Sequence, residues 1–249
     1  MKEPWKRSHV FAGAVALSYG SFLVFLLVSS FMQGLSHYYS VQAFRSGSET
    51  DIAAAIRYGP DNPVAHKNQA LVHLRNKNYQ AAADAFERAI EFRENDFLLW
   101  SHLGYVRQQL GDPEAAAGAF EHSIKLAPNH SQPRYYMGML LLDVDRDEEA
   151  FKYLSDAARY DASLYPAIQR LARRNFKDAK AIESAVRPVS TDAKRSVARY
   201  LIKYRYMTDS IRSFLLSDEL TIGQKNEFVK YLLHKNQYQL ARDVWFSRQ

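Results

Sequence analysis

Apolar and polar residues follow one another through the middle of the chain with the period of an α-helix. Leu103 and Gly104 follow Trp100 by three and four residues, so the three side chains share one face of a helix. Phe120 follows Ala116 by four residues and marks a similar face on the next segment. The pattern therefore predicts two successive amphipathic helices that pack against each other as a hairpin.

The turn between these two predicted helices consists of Gly111, Asp112 and Pro113. Asp112 is suited to cap the second helix, and Pro113 fits its first position, where a missing N–H costs nothing. The hairpin recurs with a period of 34 residues. The positions that align are Ala70, Gly104 and Gly138 on the first helix, and Ala82, Ala116 and Ala150, Phe86, Phe120 and Leu154, and Ala89, Ser123 and Ala157 on the second. Because one hairpin cannot bury its own apolar faces, we expect the copies to stack.

The central copy resembles a tetratricopeptide repeat. The residues that carry the resemblance are Trp100, Leu103, Gly104, Gly111, Asp112, Pro113, Glu114, Ala116, Phe120, Ser123 and Pro128. We predict an all-α fold in which an N-terminal transmembrane helix precedes a tetratricopeptide-type α-solenoid of stacked hairpins. The predicted divisions are a basic N-terminus (1–9), a membrane anchor (10–32), a linker with a partial repeat (33–61), three repeat units (62–165) and degenerate, basic helical repeats (166–249).

The N-terminal segment is predicted to anchor the chain in a membrane. Residues 10–32 contain no charged residue and no histidine, and as a helix of roughly 35 Å they would cross the ~30 Å hydrocarbon layer of a bilayer. A cleaved signal peptide and a buried core helix are the alternatives. Lys2, Lys6 and Arg7 precede the span, and no basic residue follows it before Arg45. This bias predicts a single-pass protein with a cytoplasmic N-terminus and an extracytoplasmic (periplasmic or lumenal) repeat domain.

Charge divides the chain into an acidic and a basic part. Residues 61–167 contain 11 basic and 16 acidic side chains, whereas residues 168–249 contain 17 basic and 8 acidic ones. The basic residues are either ordinary solvated helix faces or a surface for acidic partners, such as lipid headgroups or anionic glycans; nucleic acid is disfavoured by the predicted topology. The candidate basic surface consists of Arg173, Arg174, Lys177, Arg199 and Lys203.

A second candidate site is a groove that binds a peptide. The resemblance implies a concave face lined by the first helices of the hairpins, and it implies protein partners. The groove candidates are Lys67, Leu71, Ser101, Tyr105, Gln108, Gln109, Tyr135, Met139 and Leu142. Such a surface suits a helix or an extended peptide with an apolar side. The competing interpretation is that Leu71, Met139 and Leu142 belong to the core.

Enzymatic chemistry is not indicated by the sequence. The chain lacks cysteine, a glycine-rich phosphate loop and an HExxH pattern, and no nucleophile with a nearby base suggests a catalytic site. We therefore expect no catalytic, cofactor-binding or metal-binding residues. The leading hypothesis is a membrane-tethered scaffold, not an enzyme, that assembles a protein complex at the cell envelope. The alternative is an accessory protein that binds envelope glycan or anionic lipid through its basic C-terminal helices.

Overall fold

The computed structural model describes the backbone of residues 4–247 and the side chains of residues 18–247. Within these residues the chain forms fourteen α-helices, one short 3-10 helix and no strand, so the all-α prediction is confirmed. Helices α1–α5 form one compact unit, and α6–α14 form a second. The predicted basic N-terminus, with Lys2, Lys6 and Arg7, lies largely outside the residues whose side chains are described.

Along the chain, first helices of the repeats alternate with second helices. The first helices are the C-terminal part of α1 (Pro4–Ser46), α3 (Pro63–Arg75), α5 (Phe97–Gln109), α7 (Ser131–Asp143), α9 (Tyr165–Asn175), α11 (Thr191–Lys203) and α13 (Ile222–His234). The second helices are α2 (Glu49–Tyr58), α4 (Tyr79–Phe92), α6 (Pro113–Leu126), α8 (Asp147–Tyr160), α10 (Ala179–Val186), α12 (Asp209–Leu216) and α14 (Tyr238–Phe246). The 3-10 helix Ala162–Leu164 leads into α9.

Small residues allow the two helices of a hairpin to approach closely. In the hairpin of α7 and α8, a Cβ atom added to Gly138 would lie 2.6 Å from the Cγ of Leu154 and 3.0 Å from the carbonyl oxygen of Ala150. In the hairpin of α3 and α4, Ala70, Ala82 and Phe86 are completely buried. The small and bulky residues that recur every 34 positions are therefore the residues at which the two helices of a hairpin cross.

A residue with a positive φ follows the first helix both in the regular repeats and in the degenerate C-terminal ones. It has a φ near +60° at Lys77, Asp145, Arg205 and Asn236. In each case the amide of the next residue donates to a carbonyl five positions earlier, with N···O distances of 2.9 Å, which is the Schellman arrangement of a helix C-terminus. The helices α11–α14 thus form true hairpins, although their sequence repeat is degenerate.

The hairpin of α9 and α10 interrupts this regular geometry. No positive-φ residue lies in its turn; instead, Phe176 packs its ring 5.1 Å from that of Phe151 on α8. The second helix α10 has only 8 residues, compared with 14 in α8. This shorter hairpin accounts for the loss of the 34-residue register after α9.

Residues 33–46 are helical, where we expected a linker. They continue α1 without a break and pair with α2, so the partial repeat is a whole hairpin. The physical reason is that Ser36, Ser40 and Ala43 recur every three or four residues and are at most 1% exposed, which gives this part of α1 a buried face of its own.

Hydrogen bonds fix α1 to the first repeats. The Ser36 hydroxyl donates to the carbonyl of Ala55 (2.8 Å) and accepts from the side-chain amide of Asn62 (2.9 Å). Asn68 donates to the carbonyl of Ser40 (3.1 Å). A Cβ atom added to Gly59 would lie only 2.5 Å from the Ser36 hydroxyl oxygen. The end of α1 is therefore an integral part of the first unit.

The helix crossing predicts opposite effects for two Gly→Ala substitutions. Gly138→Ala should destabilise the protein by about 1–3 kcal/mol, because Leu154 and the Ala150 carbonyl must move. Gly118→Ala on α6, where a Cβ meets nothing within 4 Å, should instead stabilise it by up to about 1 kcal/mol through its higher helix propensity. Denaturant midpoints of the full chain in detergent, followed by circular dichroism, measure both. Equal shifts for the two variants would contradict the close crossing.

Candidate functional site

The first helices leave one narrow line of residues accessible. On α5, Leu99, Leu103 and Val106 are buried on one side, and Ser101 and Gly104 on another. Between these two sides, Trp100 and Arg107 lie half-buried in one direction, and the opposite direction is accessible to solvent. The residues along it, at spacings of four, three and four, are Leu98, His102, Tyr105 and Gln109. We call this set of positions the accessible stripe.

The accessible stripe recurs at the 34-residue period. The equivalent residues are Val64, Asn68, Leu71 and Arg75 for α3, Gln132, Tyr136, Met139 and Asp143 for α7, and Pro166, Arg170, Arg173 and Lys177 for α9. Asn68 is buried, because its amide bonds to the Ser40 carbonyl. Along the chain, the stripe changes from apolar and aromatic residues to basic ones.

The structure places the groove candidates in three environments. Leu71, Tyr105, Gln109 and Met139 lie on the accessible stripe, and Lys67, Gln108 and Tyr135 are half-buried beside it. Ser101 is 0% exposed and Leu142 is 9% exposed. These two are interior residues, and their assignment to a groove surface was wrong. A step of one residue rotates a side chain by about 100° around the helix, which moves it from the stripe into the packed sides.

His102 and Tyr136 are stripe residues that the sequence interpretation missed. They lie 34 residues apart, and each precedes a chosen position, Tyr105 or Met139, by three residues. The 34-residue spacing between these two residues is the feature of the sequence that could have identified them. Tyr105, on α5, and Met139, on α7, lie in different units of the structure.

His102 lies in a half-buried environment on the stripe of α5. Its ring stacks on Phe86, with centroids 5.4 Å apart and an interplanar angle of 13°. Burial lowers the pKa of His102, the nearby Lys67 lowers it further, and Asp96 acts in the opposite direction. This shift favours the neutral imidazole, a ring with one donor and one acceptor nitrogen, on a stripe that also holds Leu98 and Tyr105.

The candidate basic surface lies on α9, α11 and the turn after α9. Arg173, Arg174, Lys177, Arg199 and Lys203 are all exposed. The Arg173 guanidinium carbon lies 3.9 Å from the centroid of the Tyr204 ring, and the Lys203 ammonium lies 5.3 Å from it. Arg199 donates to Glu227 at 2.8 Å. The structure therefore brings Arg173 and Lys203 together and pairs Arg199 with a carboxylate.

Two tyrosine rings lie next to these cations. The rings of Tyr200 and Tyr204 lie 4.9 Å apart. Burial raises the pKa of Tyr200, while the positive charges of Arg173 and Arg170 partly oppose this rise. Elsewhere in the described residues, no cluster of three or more histidine or acidic side chains has the arrangement of a metal site. The chemistry that this region offers is the recognition of anions and planar groups.

The repeats match known family models. A tetratricopeptide-repeat model matches residues 33–97, and a second tetratricopeptide-repeat model matches residues 98–130. The first match begins inside α1, at the segment that completes the first hairpin. Residues 33–130 therefore belong to the tetratricopeptide-repeat family.

Two curated relatives and one solved structure illustrate the similarity. The peroxisomal targeting signal receptor of Candida albicans is 27% identical over 34% of this chain and 14% of its own length. Anaphase-promoting complex subunit 3 of Schizosaccharomyces pombe is 26% identical over 59% of this chain and 21% of its own length. The chain thus spans about a fifth or less of these relatives.

The solved structure shares the fold. Residues 41 to the end of MamA from Desulfovibrio magneticus RS-1 superpose with a TM-score of 0.53 and 17% identity, over 70% of this chain and 93% of that one. The agreement extends beyond the residues that the repeat models match, as expected from the regular hairpins α11–α14.

The environment of His102 predicts how stability depends on pH. Because the folded-state pKa is below the ordinary value of 6.5, the unfolded chain binds more protons as the pH falls through that value, and the folded state loses stability. In His102→Phe, which keeps a stacked ring, the loss of stability between about pH 7 and about pH 5 should be smaller than in the wild type. Lys67→Gln should reduce it in part. Denaturant midpoints at each pH measure the effect; an unchanged pH dependence in His102→Phe would contradict it.

Proposed function

We propose that this protein is a membrane-tethered tetratricopeptide-repeat scaffold that assembles a protein complex at the cell envelope and catalyses no reaction. The observation that carries the proposal is the continuity of α1, which runs from an exposed apolar stretch directly into the first repeat hairpin. A helix of this kind holds its binding domain at a membrane surface.

The apolar part of α1 supports the tether. Between residues 18 and 32 every residue except Ser29 is exposed, and large apolar side chains such as Phe22 (57% exposed) and Leu27 (71% exposed) face solvent on all sides. The helix from residue 18 to 46 is long and apolar enough to cross a bilayer. In a soluble domain, burying these residues would stabilise the folded state. With Lys2, Lys6 and Arg7 on the cytoplasmic side, the repeats would lie outside the cytoplasm.

The accessible stripe supports protein binding. Tyr105 and Met139 are half-buried residues on rigid helices, and aromatic and methionine side chains of this kind are typical anchors in protein interfaces. Two of the relatives are a targeting-signal receptor and a subunit of a multiprotein complex. A partner helix or extended segment with an apolar side suits this surface.

The alternative is an accessory protein that binds envelope glycan or anionic lipid through α9 and α11. The exposed cations Arg173, Arg174, Lys177 and Lys203 favour it. The two functions differ in the ligand: the scaffold binds a protein partner at the stripe, whereas the accessory binds glycan or anionic lipid, and no protein partner, through the basic surface.

The proposed topology predicts a one-sided pattern of thiol labelling. The chain has no cysteine, so Ser210→Cys, at an exposed position of α12, introduces a single thiol. A membrane-impermeant maleimide should label this variant in cells whose inner membrane is intact. The matched Ser8→Cys variant should be labelled only after that membrane is opened. The reverse pattern would place the repeats in the cytoplasm.

The scaffold predicts site-selective crosslinking on α5. A photoreactive phenylalanine analogue in place of Tyr105 should give discrete adducts with a protein partner in intact membranes. The same analogue in place of Gln80, an exposed residue of the second helix α4, should not. Tyr105→Ala should reduce recovery of that partner about tenfold, as for an interface anchor worth more than 1 kcal/mol. Equal adducts from both positions would count against the stripe as the binding surface.

A further inference from the structure

In the C-terminal hairpins, the first helices α9 and α11 carry a net positive charge, whereas the second helices carry none. Helix α9 holds three arginines and no acidic residue, and α11 holds four basic residues against Asp192 alone. The second helices α10, α12 and α14 each hold one basic and one acidic residue. If these charged residues served only to keep the helix surfaces soluble, first and second helices would have a similar net charge. The first-helix layer therefore has a charge pattern of its own.

The cations of α9 and α11 converge on one ring. The two helices touch through the bond from Gln169 to Ser196 (3.2 Å). Arg173 and Lys203 both lie over Tyr204, and Arg170 lies one helical turn before Arg173. We call Arg170, Arg173, Lys177 and Lys203, together with Tyr204, the α9–α11 basic surface.

The cations of this surface are uncompensated. Lys194 pairs with Glu219 at 2.7 Å, and Arg195 and Arg199 pair with Glu227 at 3.2 and 2.8 Å. In contrast, no carboxylate among the described residues forms an ion pair with Arg170, Arg173, Lys177 or Lys203. Like charges on adjacent helices repel each other, and a bound anion would relieve this repulsion.

We propose that the α9–α11 basic surface binds an extended acidic segment of a partner protein. The proposal rests on the scaffold function and names the chemistry of one partner. It places this segment on hairpins beyond residue 130, where the repeat models no longer match. On this surface, a guanidinium group can donate two parallel hydrogen bonds to one carboxylate, a geometry that ammonium groups lack.

The helix spacing fits a polypeptide in the polyproline II conformation. Packed helices lie about 8–10 Å apart, and a polyproline II helix advances about 9 Å in the three residues of one turn. An acidic side chain at every third residue would therefore meet α9 and then α11. None of the large apolar side chains exposed in the described part of the chain lies on α9 or α11, whereas surfaces that bind lipid bilayers insert such residues.

A synthetic peptide tests this proposal without knowledge of the native partner. The full chain in neutral detergent is titrated into fluorescent (Glu-Pro-Pro)4, and anisotropy is measured. We expect saturable binding that weakens as salt is added. The (Gln-Pro-Pro)4 peptide should not bind. Equal binding of the two peptides would overturn the proposal.

Matched variants locate the binding. Arg173→Ala with Lys203→Ala should weaken binding of the glutamate peptide roughly tenfold, as expected for two exposed ion pairs. Lys180→Ala with Arg212→Ala removes the same charge from the exposed faces of α10 and α12 and should change binding less than twofold. Equal losses in the two double variants would indicate a diffuse charge effect and overturn the assigned surface.

Anionic vesicles distinguish a polypeptide from a membrane as the occupant. Vesicles of phosphatidylglycerol and phosphatidylcholine, compared with phosphatidylcholine alone, should not compete with the peptide. Competition that the Arg173→Ala, Lys203→Ala variant abolishes would identify a lipid surface instead and overturn the proposal. If the proposed acidic partner segment is ruled out, the scaffold function is still decided by its own experiment, because crosslinking at Tyr105 requires none of these cations.

Discussion

The close approach of two helices at small residues is the constraint on which the remaining structure depends. Gly138 has no room for a Cβ atom against Leu154, and Ala70 and Ala82 are fully buried at the corresponding crossing of α3 and α4. Because the backbones are this near, each hairpin is thin, and the next one can cover its remaining apolar face. Stability is thus distributed over repeated contacts between neighbours instead of one central core.

The same packing confines recognition to a few positions. A first helix such as α5 is covered on two sides, and its accessible residues include the stripe of Leu98, His102, Tyr105 and Gln109. Residues there can change without altering the crossing. The replacement of aromatic residues by Arg170 and Arg173 on α9 shows this freedom within a single chain. A scaffold built in this way can present two chemically different surfaces on one type of framework.

The crossing was predictable from the sequence, whereas the stripe and the hairpin boundaries were only partly so. Small residues recur every 34 positions because the backbone spacing demands them. Ser101 and Leu142 were misplaced because the sequence does not show that a helix is packed on two sides. The turn at Phe176, which shortens one hairpin, depends on a contact with Phe151 that no local pattern encodes. The cation cluster around Tyr204 likewise depends on the packing of α9 against α11.

The continuity of α1 determines how the repeat domain can be separated from its anchor. A fragment that begins after the apolar stretch but omits residues 33–46 would expose the faces of α2 and α3 that Ser36, Ser40 and Ala43 cover. A cut near residue 33 would keep these contacts and remove most of the exposed apolar surface. Cleavage of α1 would be tolerated only on the N-terminal side of Ser36. The repeats therefore include part of the apolar helix as a structural element.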